Sequence, residues 1–267
     1  MAKEKKSSQY NIRVVEKTIR VLRLLSDGKP RTLTDISQEV DINTSTTYRL
    51  VATLVNHNFL ELDDLTGEYR LGFASLELAR SYQTGSELLR IARPDLLKLR
   101  DATSETVHLA VLDGMEVVYL EKIEGLYAIG LMSSRVGRRA PAYCTGVGKA
   151  LLSQQDPDFI LENTEWETLI RFNERTIVEP EALLADFDLT RSRGYALDDG
   201  EHEFEVRCVA VPIFDHSGEV VAAVSVSGPK SRMDPVGQNE ALIQCTLQAA
   251  QDISAKLGYG HVGGWDT

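Results

Sequence analysis

The sequence of 267 residues has no apolar run that approaches the ~18 residues of a membrane-spanning helix. Its opening stretch, MAKEKKSSQYNIR, lacks the apolar core of a secretory signal peptide. Its three cysteines, Cys144, Cys208 and Cys245, are far apart and form no CxxC pair, which fits free thiols in a reducing compartment. We therefore expect a cytoplasmic protein with no membrane partner.

A nucleotide-binding loop is also missing, although CTGVGKALL at residues 144–152 resembles one. The P-loop motif needs a glycine where Tyr143 stands, and a serine or threonine at Ala150, directly after Lys149. We expect neither ATP nor any other cofactor. What remains is a glycine loop that leads into a helix N-terminus, whose N–H groups favour an anion such as a carboxylate. The alternative is a tight turn at the entry of a helix.

No catalytic or metal-binding set is evident. The acidic run at residues 198–205 contains one histidine but matches no metal-ligand spacing, and we predict a solvated loop there. His108 lies in a predicted strand, where we expect a structural role. No Ser-His-Asp set supports catalysis, so we predict no enzyme. The cluster of Arg135, Arg138 and Arg139 either attracts an anionic ligand or forms a solvated turn.

Charge is distributed unevenly along the chain, whose formal net charge is −11. Residues 1–57 contain ten of the 29 Lys and Arg but only six of the 40 Asp and Glu, whereas residues 76–267 contain 18 and 30. A basic N-terminal part on an acidic body is typical of a DNA-binding domain attached to another domain.

The N-terminal part has the pattern of a winged helix-turn-helix. A first helix is predicted at residues 14–25, with Val15, Ile19, Leu22 and Leu25 on its apolar face.

A capping box of Thr32 and Asp35 predicts the start of a second helix, and Asn43 is the predicted N-cap of a third. Two short apolar runs around the turn at residues 63–67 then predict a hairpin, the wing.

The third helix has polar residues in its first turns and apolar residues later, as recognition helices require. We predict DNA contacts from Thr32, Thr34, Thr44, Ser45, Thr46, Tyr48 and Arg49. The alternative is a protein-interaction domain, because serine and threonine also cap helices.

Residues from 106 onward read as an antiparallel α+β domain. An Asp113-Gly114 turn predicts a hairpin at residues 106–123, a third strand is predicted at 125–134, and two strands flank residues 215–218. Helices are predicted at residues 146–153, 156–163, 179–193 and 235–257.

Strand alternation places small residues together on one face of this sheet. Ala223, Ser225 and Ser227 share one face of their strand, and Cys208 and Ala210 share one face of its predicted partner. If the two strands align, these residues form a floor with room above it for a small polar ligand. The alternative is that a helix packs closely there.

The order of winged helix, linker helix, SRVGRRAPAYCTGVGKALLS and GYALDDGEHEFEVRCVAVPIFDHSGEVVAAVSVSGP resembles the IclR family of bacterial transcriptional regulators, over residues 12–258. The resemblance implies a winged helix-turn-helix at residues 1–73, a linker helix at 74–91 and a GAF-like effector domain with an antiparallel sheet at 92–267. It also implies a repressor that binds a double-stranded DNA operator as a homodimer or homotetramer.

By matching motif, the resemblance places effector contacts on Met132, Gly146, Val147, Asp198, Cys208, Ser225 and Ser227. The segments RVGRR, NERTIVEPEALL and ISAKLGY are similar to members that respond to 2-keto-3-deoxygluconate. The expected effector is therefore a small carboxylic acid such as this one. Two alternatives stay open, namely an enzyme that acts on a sugar acid and a ligand sensor that acts through a protein partner.

Overall fold

The chain consists of two compact units that meet between Ser86 and Glu87. A computed structural model describes residues 11–127 and 132–260. Both units combine helices with antiparallel strands, so the predicted α+β class is confirmed.

The first unit is a winged helix-turn-helix followed by one further helix. Its helices are α1 (Arg13–Leu25), α2 (Leu33–Glu39), α3 (Thr44–Asn56) and α4 (Phe73–Gly85). Its strands are β1 (Arg31–Thr32), β2 (Leu60–Asp63) and β3 (Glu68–Leu71). The strands form an antiparallel sheet in the order β1-β3-β2, and the predicted hairpin is the β2–β3 pair.

Side-chain caps begin α2 and α3 where the sequence predicts them. The Thr32 hydroxyl accepts the Asp35 N–H at 3.3 Å, and the Asp35 carboxylate accepts the Thr32 N–H at 3.1 Å, which forms the capping box. The Asn43 side chain accepts the Thr46 N–H at 2.9 Å. These caps satisfy N–H groups that would otherwise lack a partner at each helix start.

α1 is the predicted amphipathic helix, and its apolar residues are buried only toward its C-terminal end. Val21 and Leu25 are fully buried, whereas Val15 and Ile19 are 49% and 45% exposed. Leu22 is half-buried. Only the C-terminal turns of α1 contact the core of the first unit, so the N-terminal turns leave their apolar residues at the surface.

The second unit is built on a six-stranded antiparallel sheet in the order β6-β5-β4-β9-β8-β7. Its strands are β4 (Thr106–Asp113), β5 (Glu116–Ile123), β6 (Arg139–Pro141), β7 (Ala196–Asp198), β8 (Val206–Phe214) and β9 (Val220–Pro229). Its helices are α5 (Glu87–Thr103), α6 (Gly146–Leu152), α7 (Pro157–Asn163), α8 (Pro180–Arg193), α9 (Lys230–Met233) and α10 (Glu240–Lys256).

Two predictions for this unit differ from the structure. Of the strand predicted at 125–134, residues 128–131 lie outside the described residues, and the flanking residues 125–127 and 132–134 form no strand. On the side away from β4, β5 pairs with β6. The predicted boundary between the linker helix and the effector domain, after residue 91, falls inside α5.

The sheet separates two apolar cores, and strand alternation decides which residues enter each. Val224 and Val226 of β9 belong to the core that includes α5 and α10. Ala223 belongs to the opposite core, with Leu151 of α6 and Phe187 of α8. Ser225 and Ser227 follow Ala223 on this second face, which therefore changes from apolar to polar along β9.

Candidate functional site

Small polar side chains from four neighbouring strands align in one row across the sheet. Asp198 of β7 pairs with Cys208 of β8, which pairs with Ser227 of β9. Ser225, two residues before Ser227, pairs with His108 of β4. The predicted alignment of the β8 and β9 small-residue faces is therefore present in the structure.

A cavity of about 210 Å³ lies above this row. Its lining includes all seven residues predicted to contact an effector, namely Met132, Gly146, Val147, Asp198, Cys208, Ser225 and Ser227. Twelve further lining residues were not in the effector prediction, and they include His108, Tyr119, Ser134, Arg138, Arg139, His202 and Glu203. The structure brings the predicted set together, and their binding of an effector stays a prediction.

Hydrogen bonds connect the polar groups of the cavity floor. The Cys208 Sγ lies 2.9 Å from the Ser227 Oγ, and the Oγ atoms of Ser225 and Ser227 are 3.5 Å apart. His108 Nδ1 lies 3.3 Å from the Ser227 Oγ and 3.4 Å from the Ser225 Oγ, while its Nε2 lies 2.9 Å from the Ser134 Oγ. The floor is thus a continuous network.

His108, for which the sequence predicts a structural role, lies in the lining of the cavity. It is 3% exposed, and its burial, together with nearby Lys122, lowers its pKa to about 3. The ring is therefore uncharged near neutral pH. The predicted structural role stays a prediction, and the geometry adds that both ring nitrogens contact hydroxyl groups of the cavity lining.

Asp198 closes the β7 end of the row. Its Oδ1 accepts the N–H groups of Gly200 at 3.0 Å and Glu201 at 2.8 Å. Asp198 and Glu201 are both buried, so the prediction of a solvated loop at residues 198–205 is wrong for these two acids, whereas Asp199 and Glu205 are exposed. Burial raises the pKa of the Asp198 carboxyl, opposed by the two N–H donors.

Behind the glycine loop, Lys149 forms a buried ion cluster. Its ammonium pairs with the carboxylates of Glu201 and, at 2.8 Å, Asp186. Burial raises the pKa of Glu201 to about 7. This lysine is 1% exposed and links α6 to the segment that follows Asp198, unlike the lysine of a P-loop, which reaches phosphate groups.

Gly146 allows α6 to approach the sheet. A Cβ atom at this position would lie 2.9 Å from the Cys208 Cβ and 3.5 Å from the Ala210 Cβ. Both interpretations of the small-residue floor therefore apply. The helix packs closely on Cys208 and Ala210, and Cys208, Ser225 and Ser227 line the cavity.

The arginine cluster supports one wall of the cavity. Arg135 donates to the carbonyl oxygen of Met132 at 2.8 Å, and Arg138 donates to that of Ser133 at 2.9 Å. Arg139 pairs with carboxylates of the β4–β5 hairpin. Arg138 and Arg139 also line the cavity, so the cluster is more than a solvated turn.

The residues predicted to contact DNA form a largely exposed polar surface at the start of α3 and beside it. Five of them are exposed, namely Thr34, Thr44, Ser45, Tyr48 and Arg49, while Thr32 and Thr46 are half-buried. The opposite face of α3 buries Thr47, Leu50, Val51 and Leu54 in the core of the first unit. The helix thus presents its polar N-terminal turns outward, as a recognition helix does.

Neither a candidate metal site nor a candidate membrane-spanning helix occurs within residues 11–127 and 132–260. These residues contain no group of three or more His, Cys, Asp or Glu side chains that could hold a metal ion. None of their helices is long and apolar enough to cross a membrane.

Comparisons with known proteins match both units to models of one protein family. A family model described as the IclR helix-turn-helix domain matches residues 14–64, and one described as bacterial transcriptional regulator IclR C-terminal matches residues 80–255. The HTH-type transcriptional regulator KdgR of Escherichia coli (strain K12) is 36% identical over 245 residues, which cover 92% of each chain. XynR of the same organism is 36% identical over 93% of this chain and 98% of its own.

A solved structure gives the same result for the fold. The crystal structure of an IclR homolog from Microbacterium hydrocarbonoxydans, complexed with 4-hydroxybenzoate, superposes with a TM-score of 0.77 at 29% identity. The match covers 91% of this chain and 98% of that one. The proteins matched in both comparisons are transcriptional regulators rather than enzymes. With a helix-turn-helix unit, an effector-domain fold and relatives of this kind over nearly its full length, the chain belongs to the IclR family of bacterial transcriptional regulators.

Proposed function

We propose that this regulator represses transcription from a double-stranded DNA operator, which it contacts through α2 and α3, and that a small carboxylic acid in the cavity controls this binding. The observation that supports the proposal best is the convergence of a glycine loop, four strands and one connecting segment on a single polar cavity. Because the target is chromosomal DNA, we infer that the protein acts in the cytoplasm.

The size and polarity of the cavity support a small hydroxylated acid as the effector. A volume of about 210 Å³ is below the ~300–1,000 Å³ of pockets that hold drug-sized ligands. The solved relative holds 4-hydroxybenzoate, which is itself a carboxylic acid. The sequence resemblance favours 2-keto-3-deoxygluconate, whose hydroxyl groups suit the serines of the floor.

In the proposed complex, the effector lies across the strands. Its carboxylate accepts the N–H groups of Gly146 and Val147, the first of α6, which lack partners inside the helix. Its hydroxyl groups contact Asp198, Ser225 and Ser227 along the row. For the effector to change DNA affinity, it must bind one arrangement of the protein more tightly than the other, by a few kcal/mol.

We also propose that the protein is a homodimer, or a tetramer of such dimers. The first unit exposes the apolar residues Val15 and Ile19 of α1 together with Phe73, Leu76 and Tyr82 of α4. No residue of α4, which is described along its whole length, is buried. Apolar patches of this kind mark interfaces, and a two-fold pair of recognition helices matches two half-sites on DNA.

Replacing Asp198 or Ser225 by alanine tests the effector site. Each variant should lose the response of operator binding to 2-keto-3-deoxygluconate and retain operator binding itself, because the two functions reside in different units. The measurement is an electrophoretic mobility shift titration with and without the acid. Ser192→Ala, at an exposed serine of α8, is the matched control and should respond like the wild-type protein.

Three outcomes would argue against the proposal or the assignment. A wild-type protein whose operator affinity is unchanged by a panel of small carboxylic acids would contradict the effector class. An Asp198 or Ser225 variant that responds normally would remove that residue from the site. Loss of DNA binding and effector response together would indicate misfolding, which circular dichroism would show.

A further inference from the structure

His108 lies on β4 in the floor of the cavity. The glycine loop lies over β8, which is two strands away in the sheet. Gly146 sits over Cys208 of β8, Ser225 and Ser227 follow on β9, and His108 lies beyond them on β4. The row therefore has two different ends. One end offers the N–H groups of a helix start, and the other offers an imidazole and hydroxyl groups.

The hydrogen-bonding capacity of the imidazole restricts the groups around it. A neutral histidine has one donor nitrogen and one acceptor nitrogen. Nδ1 is within 3.4 Å of both Ser225 and Ser227, so it forms its hydrogen bond with one of them at a time. Nε2 is committed to Ser134 at 2.9 Å. The serine hydroxyl that is not bonded to the ring has only Cys208 or the other serine as its neighbours in the floor network, and it can exchange these contacts for a ligand hydroxyl.

We propose that His108 is a specificity-determining residue, which orients the hydroxyl groups of Ser225 and Ser227 so that this end of the cavity selects a ligand carrying hydroxyl groups. The inference rests on the proposed function and deepens it. It places the hydroxyl groups that contact Ser225 and Ser227 at the β4 end of the row, while the carboxylate and the hydroxyl group that contacts Asp198 lie at the α6 end. Sites built to pair with a ligand hydroxyl discriminate strongly against analogues without it.

The charges around the His108 ring favour an uncharged, hydroxylated part of the ligand at the β4 end of the cavity. Burial holds the pKa of His108 near 3, so the ring carries no positive charge that would attract a carboxylate. The ammonium of the neighbouring Lys122 is itself engaged by the Ser134 carbonyl oxygen at 3.1 Å and the Glu124 carboxylate at 2.9 Å. The phenol of Tyr119, whose ring centre is 5.3 Å from that of His108, also stays neutral because burial raises its pKa.

The test compares two ligands that differ only in their hydroxyl groups. 2-Keto-3-deoxygluconate and 2-oxohexanoate share a carbon chain and a keto acid group, and the second has no hydroxyl. The wild-type protein should bind the hydroxylated acid about tenfold or more tightly, as expected for buried hydroxyls with partners. His108→Phe should remove most of this preference and leave the affinity for 2-oxohexanoate within about twofold, by isothermal titration calorimetry.

Two conservative variants separate the roles of the ring nitrogens. The side-chain amide of asparagine lies as many bonds from Cβ as Nδ1 does, and that of glutamine as many as Nε2 does. His108→Asn should therefore retain more of the preference than His108→Gln, because Nδ1 faces Ser225 and Ser227. A merely structural histidine would make all three variants lose affinity for both acids equally. His216→Phe, at an exposed histidine between β8 and β9, is the matched control and should keep the full preference.

The results that overturn the inference are distinct from those that overturn the proposed function. A folded His108→Phe protein with the wild-type preference would overturn the role of His108 alone. Equal affinity of the wild-type protein for both acids would also overturn the proposed role of His108, but it would not contradict the proposal of a carboxylate effector. Binding of neither acid by the wild-type protein would overturn both. Near-ultraviolet circular dichroism and the urea midpoint show whether each variant is folded.

Discussion

Among individual side chains, Arg49 gives the sharpest test of the DNA-binding surface. It is exposed in the second turn of α3, directly after Tyr48, while Leu50 and Val51 behind it are buried. An arginine on this side of a recognition helix contacts a phosphate or a base edge, and either contact adds a favourable charge interaction.

Arg49→Ala should weaken binding to duplex DNA and reduce the slope of log affinity against log salt by about 1. The reason is that one fewer counterion is released when one phosphate contact is lost. Fluorescence anisotropy at several salt concentrations measures both quantities. Arg90→Ala, at an exposed arginine of the second unit, serves as control and should change neither. An unchanged slope and affinity for the Arg49 variant would remove it from the contact surface.

Among the helices and strands, α6 depends on glycine in two places for different reasons. At Gly146 an added Cβ would meet the Cys208 side chain, whereas at Gly148 it would overlap the backbone of Ala142. A side chain can shift by a small amount, but the backbone of the preceding turn can give way only if the whole loop moves. The second glycine therefore sets how closely α6 follows the segment before it.

Gly148→Ala should lower the free energy of unfolding by about 1–3 kcal/mol or more, the usual cost of overpacking. Gly85→Ala is the matched control, because a Cβ there meets nothing within 4 Å at the end of α4. It should be neutral or slightly stabilising. Urea denaturation followed by circular dichroism measures both. Equal stability of the Gly148 variant and the wild-type protein would show that the loop before α6 adapts freely.

Much of the fold follows from local patterns. Asn43 and the Thr32–Asp35 pair act at a distance of three residues, so their caps are readable directly from the sequence. The face shared by Ser225 and Ser227 follows from alternation alone, once β8 and β9 are recognised as hairpin partners.

The features that escaped prediction depend on distant residues. His108 is more than a hundred positions from Ser225 in the chain, and a lone histidine in a strand gives no sign of which hydroxyls will surround it. The burial of Glu201 depends on Lys149, which follows a glycine loop far upstream. The exposure of Ile19 depends on how little of α1 the small core of the first unit covers.

For the chain as a whole, the exposed apolar surface of the first unit is the feature that a single copy leaves unexplained. Ile12, Val15 and Ile19 lie on or directly before α1, with exposures of 65%, 49% and 45%. Such residues stay in contact with water unless a partner covers them. A second copy of the chain is the partner in the proposed dimer, because a pair of recognition helices matches two half-sites on DNA.

Ile19→Glu should shift the protein from dimer to monomer at micromolar concentration, because a buried unpaired carboxylate opposes association. Sedimentation velocity measures the change. Leu65→Glu is the control, since Leu65 is 97% exposed at the tip of the wing and lies outside the proposed interface. If the Ile19 variant remained a dimer with the wild-type dissociation constant, the interface would have to lie elsewhere.

The alternation of β9 has a consequence for how regulators of this kind diverge. Val224 and Val226 support one apolar core, while Ser225 and Ser227 between and after them face the cavity. Neighbouring positions along the strand are therefore under separate constraints. In the proposed effector site, mutations of the cavity-facing residues would change which metabolite is recognised, while Val224 and Val226 would maintain the packing of the sheet.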